Sequence, residues 1–349
     1  MAREELDLRQ RFAGGGTSER ALVLEGLCRR WRADLVVCDE VDFGAAMAAE
    51  RLGLPYATVI VIAAGSLLRP DVVADGLDSS RAELGLPPDP TLAAAGRYLV
   101  LAPCPPSFRD PAFPLPATAH SIRPGALTAG ADQGPLRWAG RIDGAPTVYF
   151  TLGTEFNLES GDLFPRVLAG LAALPVNVVV TTGRDLDPAS VGPQPPAILA
   201  RTYVPQADIL PHCDIVVCHG GSGSVIGALA HGRPMVLLPM GADQPLNAAR
   251  AAALGVARVL DVMQATPATV ATAVSAVLHD RSYQERADLV RADALLCPAP
   301  TTPSNSSNNS PSTSAQNLSR GSPSRWRPKR SVTRSSWALM CSGMGWKSR

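Results

Sequence analysis

The chain has 349 residues, enough for two domains that each bury a core. With 46% hydrophobic and 18% charged residues it reads as globular rather than disordered. The net charge of +1 hides a split: residues 295–349 carry eight basic groups and no acid, which leaves −7 for residues 1–294 and argues against nucleic acid as a partner.

The seven cysteines form no Cys-x-x-Cys pair and no metal spacing with histidine, so reduced thiols in the cytoplasm and no metal site are expected. Cys38 and Cys218 fall in expected strands and read as core fillers. The longest apolar run, residues 57–68, is too short to span a bilayer, and the charged N-terminus (Arg3, Glu4, Glu5, Asp7, Arg9) has no signal core.

Leu22, Leu24, Leu27 and Trp31 predict a helix over 21–31. A strand over 34–39, a small-residue helix over 44–52 ended by Gly53, and a strand over 56–62 follow. This alternation implies parallel pairing with covering crossovers. Residues 70–96 read as helix and loop, 98–101 as a short strand, and the proline-rich 104–130 as loops. Residues 131–146 read as a linker into a strand over 147–152 that runs into Gly153-Thr154.

The second half alternates cleanly. Strands are expected over 176–182, 200–203, 214–218, 235–238 and 256–260, and helices over 163–174, 225–231, 245–254, 266–278 and 282–290. That is a complete doubly wound domain, with ligands expected at the strand C-terminal ends. From Cys297 onward Ser, Pro, Asn and Thr dominate. This tail reads either as disordered and basic or as a shifted reading frame near Ala294.

The most informative stretch is Cys218-His219-Gly220-Gly221-Ser222-Gly223-Ser224, where a strand end turns into a helix start. The first N–H groups of a helix have no internal partner and its dipole favours an anion. Gly220, Gly221 and Gly223 remove Cβ atoms that hold a phosphate away, Ser222 and Ser224 add hydroxyls, and His219 adds a ring N–H. A diphosphate fits. Gly153-Thr154, at another strand end, is placed to close over it.

Around this loop stand Tyr203-Val204-Pro205-Gln206, Gly232-Arg233-Pro234 and Gly241-Ala242-Asp243-Gln244-Pro245-Leu246-Asn247-Ala248. The block over 201–261 closely resembles the donor-binding signature of nucleotide-sugar glycosyltransferases, the family of plant UDP-glucosyltransferases and bacterial macrolide (erythromycin-type) glycosyltransferases. The resemblance extends over residues 31–290. It implies two facing doubly wound α/β domains of the GT-B type, with an acceptor domain over 1–130, a linker over 131–146, a donor domain over 147–294 and the tail over 295–349.

The resemblance also implies roles. Tyr203 and Gln206 would meet the base, with Val204 also in the donor site; His219, Gly221, Ser222, Gly223 and Ser224 would meet the diphosphate, and Asp243 and Gln244 the hydroxyls of the transferred sugar. Asp243 and Gln244 read by themselves as an N-cap pair. Asp39 matches the acid that orients a catalytic histidine; by itself it reads as a strand-end cap. The family's histidine lies on a first strand, yet only 33 residues precede Asp34 and none is histidine, so the first domain is expected to be incomplete. The reaction implied is inverting transfer from a UDP- or dTDP-sugar to a small hydroxylated acceptor, with no cofactor. The alternatives are an impaired nucleotide-sugar-binding fragment and a UDP-sugar epimerase, the latter opposed by the Asp-Gln-Pro block. A helix position eight residues past His219 holds a ribose-gripping glutamate in UDP-sugar members. Here it is Gly227, so dTDP is expected to compete at least as well as UDP.

Overall fold

The structure, a computed structural model, describes residues 3–65, 68–125, 136–154 and 157–299. Most of the expected tail and the first part of the expected linker lie outside these residues. Residues 1–299 hold together as one compact unit containing two sheets.

The first sheet is built from β1 (Val36–Asp39), β2 (Tyr56–Val59), β3 (Leu99–Ala102) and β4 (Ala119–Ser121), paired in that order and all parallel. Around it lie α1 (Arg3–Asp7), α2 (Gly16–Trp31), α3 (Phe43–Leu52) and α4 (Pro70–Glu83). Asp42 caps α3 by accepting from the Ala45 N–H, and Gly53, at φ +64°, ends it as expected. Two expectations need correction. β2 stops at Val59 rather than at 62, because the N–H groups of Val61 and Ile62 turn away to Glu40 Oε1 at 2.7 and 2.6 Å. β4 lies in the stretch expected to be loops; three residues are too few to show a strand period.

The second sheet contains β5 (Thr147–Thr151), β6 (Asn177–Thr181), β7 (Ile198–Arg201), β8 (Ile215–Cys218), β9 (Met235–Leu237) and β10 (Ala257–Val259). Its order is β10-β9-β8-β5-β6-β7, all parallel, which is the doubly wound order of dinucleotide-binding domains. Every residue of β5, β6, β8 and β9 is buried, as expected when helices cover both faces. Val148, Phe150, Val178, Val180, Ile215 and Val217 pack on α5 (Leu163–Ala172) and α9 (Pro267–His279). The alternate residues Tyr149, Val179 and Val216 pack on the other side. There α6 (Gln206–Ile209), α7 (Ser222–Ala230), α8 (Gln244–Ala253) and α10 (Arg281–Leu296) lie.

α10 runs past its expected end at 290 because its buried stripe continues through Ala287, Val290 and Ala294. Its far end meets the first domain: Asp293 Oδ2 accepts from the Ser107 N–H at 2.8 Å, and Arg123 donates to the Leu295 carbonyl at 2.7 Å. Arg250 on α8 donates to the carbonyls of Ser107 and Phe108 at 2.8 and 3.0 Å. One buried apolar cluster runs through both sheets, from Ile60, Val100 and Phe108 to Tyr149, Leu229 and Met235. No helix among the described residues is long and apolar enough to cross a membrane.

Candidate functional site

The sheet order reverses between β5 and β8, which end side by side at Thr151 and Cys218. Ligand crevices form at such a switch point because the chain leaves adjacent strands in opposite directions. The two exits here are Gly153-Thr154 and His219-Gly220-Gly221. Gly220 and Gly153 have φ of +88° and +76°, a region costly for any residue with a Cβ.

The His219 ring lies between these exits. A Cβ at Gly153 would stand 2.7 Å from His219 Cε1, and one at Gly221 would stand 2.5 Å from Nε2. Gly221 is therefore required by the histidine itself, not only by a ligand. Gly223 is different: a Cβ there meets nothing within 4 Å, so its surroundings are open. Nδ1 of His219 is buried and has no partner among the described residues. Burial pushes the ring down to about 4, partly opposed by the Asp243 carboxylate, so it is neutral near pH 7 and carries a single N–H.

Gly221 caps α7 with extended backbone, and Ser222 opens the helix. The Ser222 N–H donates to Asp243 Oδ2 at 3.2 Å. The N–H groups of Gly223 and Ser224 have no acceptor among the described residues. This leaves two orphan donors at the positive end of the helix dipole. Asp243 is more heavily engaged than its expected role suggests. Its Oδ2 also accepts from Ser222 Oγ at 2.6 Å and Asn247 Nδ2 at 2.8 Å. Gln244 is buried, and its Oε1 accepts from the N–H groups of Met240 and Gly241 at 2.8 and 3.4 Å.

Residues 165–306 match the family described as Erythromycin biosynthesis protein CIII-like, C-terminal domain. The chain is 29% identical over 313 residues to 4'-demethylrebeccamycin synthase of Lentzea aerocolonigenes, covering 77% of this chain and 72% of that protein. It is 29% identical over 305 residues to tylactone mycaminosyltransferase of Streptomyces fradiae, covering 78% of this chain and 64% of that protein. The chain is thus similar to bacterial macrolide-type glycosyltransferases over most of its length. Its fold is the GT-B fold: a glycosyltransferase of Streptomyces sp. SF2575, solved with thymidine diphosphate, superposes with a TM-score of 0.61 at 25% identity, over 86% of this chain and 76% of that one.

Tyr203 follows the end of β7 and is 64% exposed, while Val204 is buried in the core. Gln206 opens α6 and lies across α7: a Cβ at Gly227 would stand 2.6 Å from Gln206 Oε1. Thr154 is exposed beside Gly153. These residues and the glycine loop belong to the second domain.

Asp39 stands apart, at the end of β1 in the first domain. Its Oδ1 accepts from the N–H groups of Val41 and Asp42 at 2.9 and 2.8 Å, the contacts of a strand-end cap. Burial raises its pKa, opposed by those two hydrogen bonds. Asp39 also lines a partly open cleft, together with Glu40, Asp42, Met47, Leu77 and Leu92. Of the histidines outside the loop, His120 lies exposed on β4 and His279 bonds its own helix through the Ser275 carbonyl. Cys38 and Cys218 are core residues whose thiols burial pushes up to about 12, too high for a nucleophile.

Sequence reasoning missed two residues. Asn247 is fully buried at the centre of the loop's hydrogen bonds, and its spacing of four from Asp243, which places both on one helix face, was the available signal. Glu40 is 5% exposed beside Asp39 and holds the N–H groups of Val61 and Ile62. Nothing in the local sequence marks it.

Proposed function

We propose that this chain transfers a sugar from a nucleoside diphosphate to a hydroxyl of a small polyketide, macrolide or phenolic acceptor, inverting the anomeric carbon. The observation that carries this reading is the glycine loop at the switch point, where the Gly223 and Ser224 N–H groups and His219 Nδ1 have no partners among the described residues. Fixed donors of this kind suit a diphosphate that gains charge as it departs. Tyr203 offers an exposed ring to a base, and Asp243 and the Gln244 amide lie beside the loop as partners for sugar hydroxyls.

The donor we favour is a dTDP-sugar. The related glycosyltransferase solved with thymidine diphosphate supports it. So does Gly227, where Gln206 fills the space above α7 and no carboxylate is present for a ribose 2′-hydroxyl. Calorimetry with dTDP and UDP tests both points. We expect dTDP to bind at least as well as UDP, and His219→Ala to weaken dTDP by about 1.5–3 kcal/mol, the range for a hydrogen bond to a charged group. A tenfold preference for UDP would sink the donor assignment, and unchanged affinity in the variant would remove His219 from the site.

The acceptor belongs in the cleft lined by Asp39. Asp39→Asn keeps the oxygen that caps Val41 and Asp42 and removes only the charge, so the fold is retained. We expect transfer from dTDP-glucose to a panel of phenols and macrolides to fall about 10²-fold or more, as for loss of a group assisting proton transfer. Equal turnover by the variant would exclude Asp39 from proton transfer. Binding of dTDP without transfer by either protein would reduce the function to nucleotide-sugar binding.

A further inference from the structure

The loop that follows β2 is shared between the two domains by four successive main-chain N–H groups. Val61 and Ile62 donate to Glu40 of the first domain. Ala63 donates to Ser222 Oγ at 3.0 Å and Ala64 to Asn247 Oδ1 at 3.2 Å, both in the second domain. Ala63 and Ala64 are each 1% exposed, so water is not an alternative acceptor for them.

Ser222 is in turn saturated, and Asn247 spends its amide hydrogens within the second domain. The one hydroxyl hydrogen of Ser222 goes to Asp243 Oδ2, while its oxygen accepts from Ala63 and from Asn247 Nδ2 at 3.1 Å. Asn247 Nδ2 also meets Asp243 Oδ2 and the Gly220 carbonyl at 2.8 and 3.0 Å. Asp243 Oδ2 thus accepts three hydrogen bonds, and Oδ1 is the oxygen without a partner among the described residues. The carboxylate cannot turn without disturbing the hydroxyl and amide that seat the first domain's loop.

We propose that Ser222 and Asn247 are positioning residues that fix the orientation of Asp243 and tie it to residues 63–64 of the first domain, so that a sugar held by Asp243 tightens the seating of the acceptor domain. This rests on the donor-site reading above. Ser222 was expected at the diphosphate; in this arrangement its hydroxyl serves the joint, and the adjacent Gly223 and Ser224 N–H groups remain for the phosphate.

Amide hydrogen exchange resolved at residues 61–64 tests it. Without ligand, Asn247→Ala should speed exchange at Ala64 at least tenfold while Val61 and Ile62, held by Glu40, keep their protection. Ser222→Ala should do the same at Ala63, and Ser222→Thr, which keeps the hydroxyl, should restore it. In the wild type, dTDP-glucose should slow exchange at Ala63 and Ala64 more than dTDP does, and Asn247→Ala should abolish that difference. Should Asn247→Ala fail to fold, the two Ser222 variants carry the same comparison. Unchanged exchange at Ala64 and Ala63 in the unliganded variants would overturn the joint, whatever binds. An equal response to dTDP and dTDP-glucose would overturn the coupling to the sugar. If neither ligand binds, the donor-site reading fails and the coupling with it, while the unliganded exchange still decides the joint.

Discussion

His219 is held by what its neighbours lack. The ring fits because neither Gly153 nor Gly221 has a Cβ, and Gly153 adds a backbone at φ +76°. Gly153→Ala should therefore cost stability twice, once for the left-handed backbone, about 1–2 kcal/mol, and again for pushing the imidazole aside. Urea denaturation measures the first effect. A fall in dTDP affinity beyond that of an unrelated variant of equal stability measures the second. An alanine variant as stable and as tightly binding as the wild type would show that the ring has room elsewhere. Ala242, at φ +54° just before Asp243, is a second strained position beside the loop. Its strain accompanies the turn whose N–H groups Gln244 gathers.

At the scale of elements, β2 shows a strand ended by a side chain rather than by a turn residue. Glu40 takes the next two N–H groups, and its burial raises the carboxyl to about 7, partly offset by those hydrogen bonds. The unfolded carboxyl releases its proton near 4.5, so between about 4.5 and 7 the folded chain holds a proton that the unfolded chain has lost. Stability from this group therefore falls as pH rises through that window, by up to about 3 kcal/mol. Glu40→Gln keeps an acceptor for both N–H groups and cannot ionise. Its stability relative to the wild type should rise steadily from pH 4.5 to 7 in urea titrations. A constant difference across those pH values would place the Glu40 carboxyl in an ordinary polar environment.

At the scale of the whole molecule, the two sheets share one apolar cluster, and Arg250, Asp293 and Arg123 add polar ties between them. A boundary packed with buried side chains behaves as core rather than as a hinge between independent bodies. Heating should therefore give a single transition seen alike by far-ultraviolet circular dichroism and by tryptophan fluorescence, to which Trp138, donating to the Pro196 carbonyl at the edge of the second domain, contributes. Two separated transitions would show that the shared cluster contributes little cooperativity.

The local pattern alone determined most of the second domain. Buried parallel strands are near-continuous apolar runs, and Gly183, Gly220, Gly232 and Gly255 mark turns at positive φ, so the element order and the position of the glycine loop were legible in the sequence. The ends of elements were less so: β4 was too short to show a period, and the stripe that carries α10 to Leu296 rests on small residues. What only the tertiary structure decided was how the polar side chains are spent. For Asp243 and Gln244 the family resemblance suggests a sugar, yet the oxygens they spend on Ser222, Asn247, Met240 and Gly241 leave no mark in the sequence. Ala63 finds Ser222 across 159 residues of chain and Ala64 finds Asn247 across 183. A hydrogen bond between groups so far apart leaves no periodicity, because it exists only once both sheets have packed on their shared core.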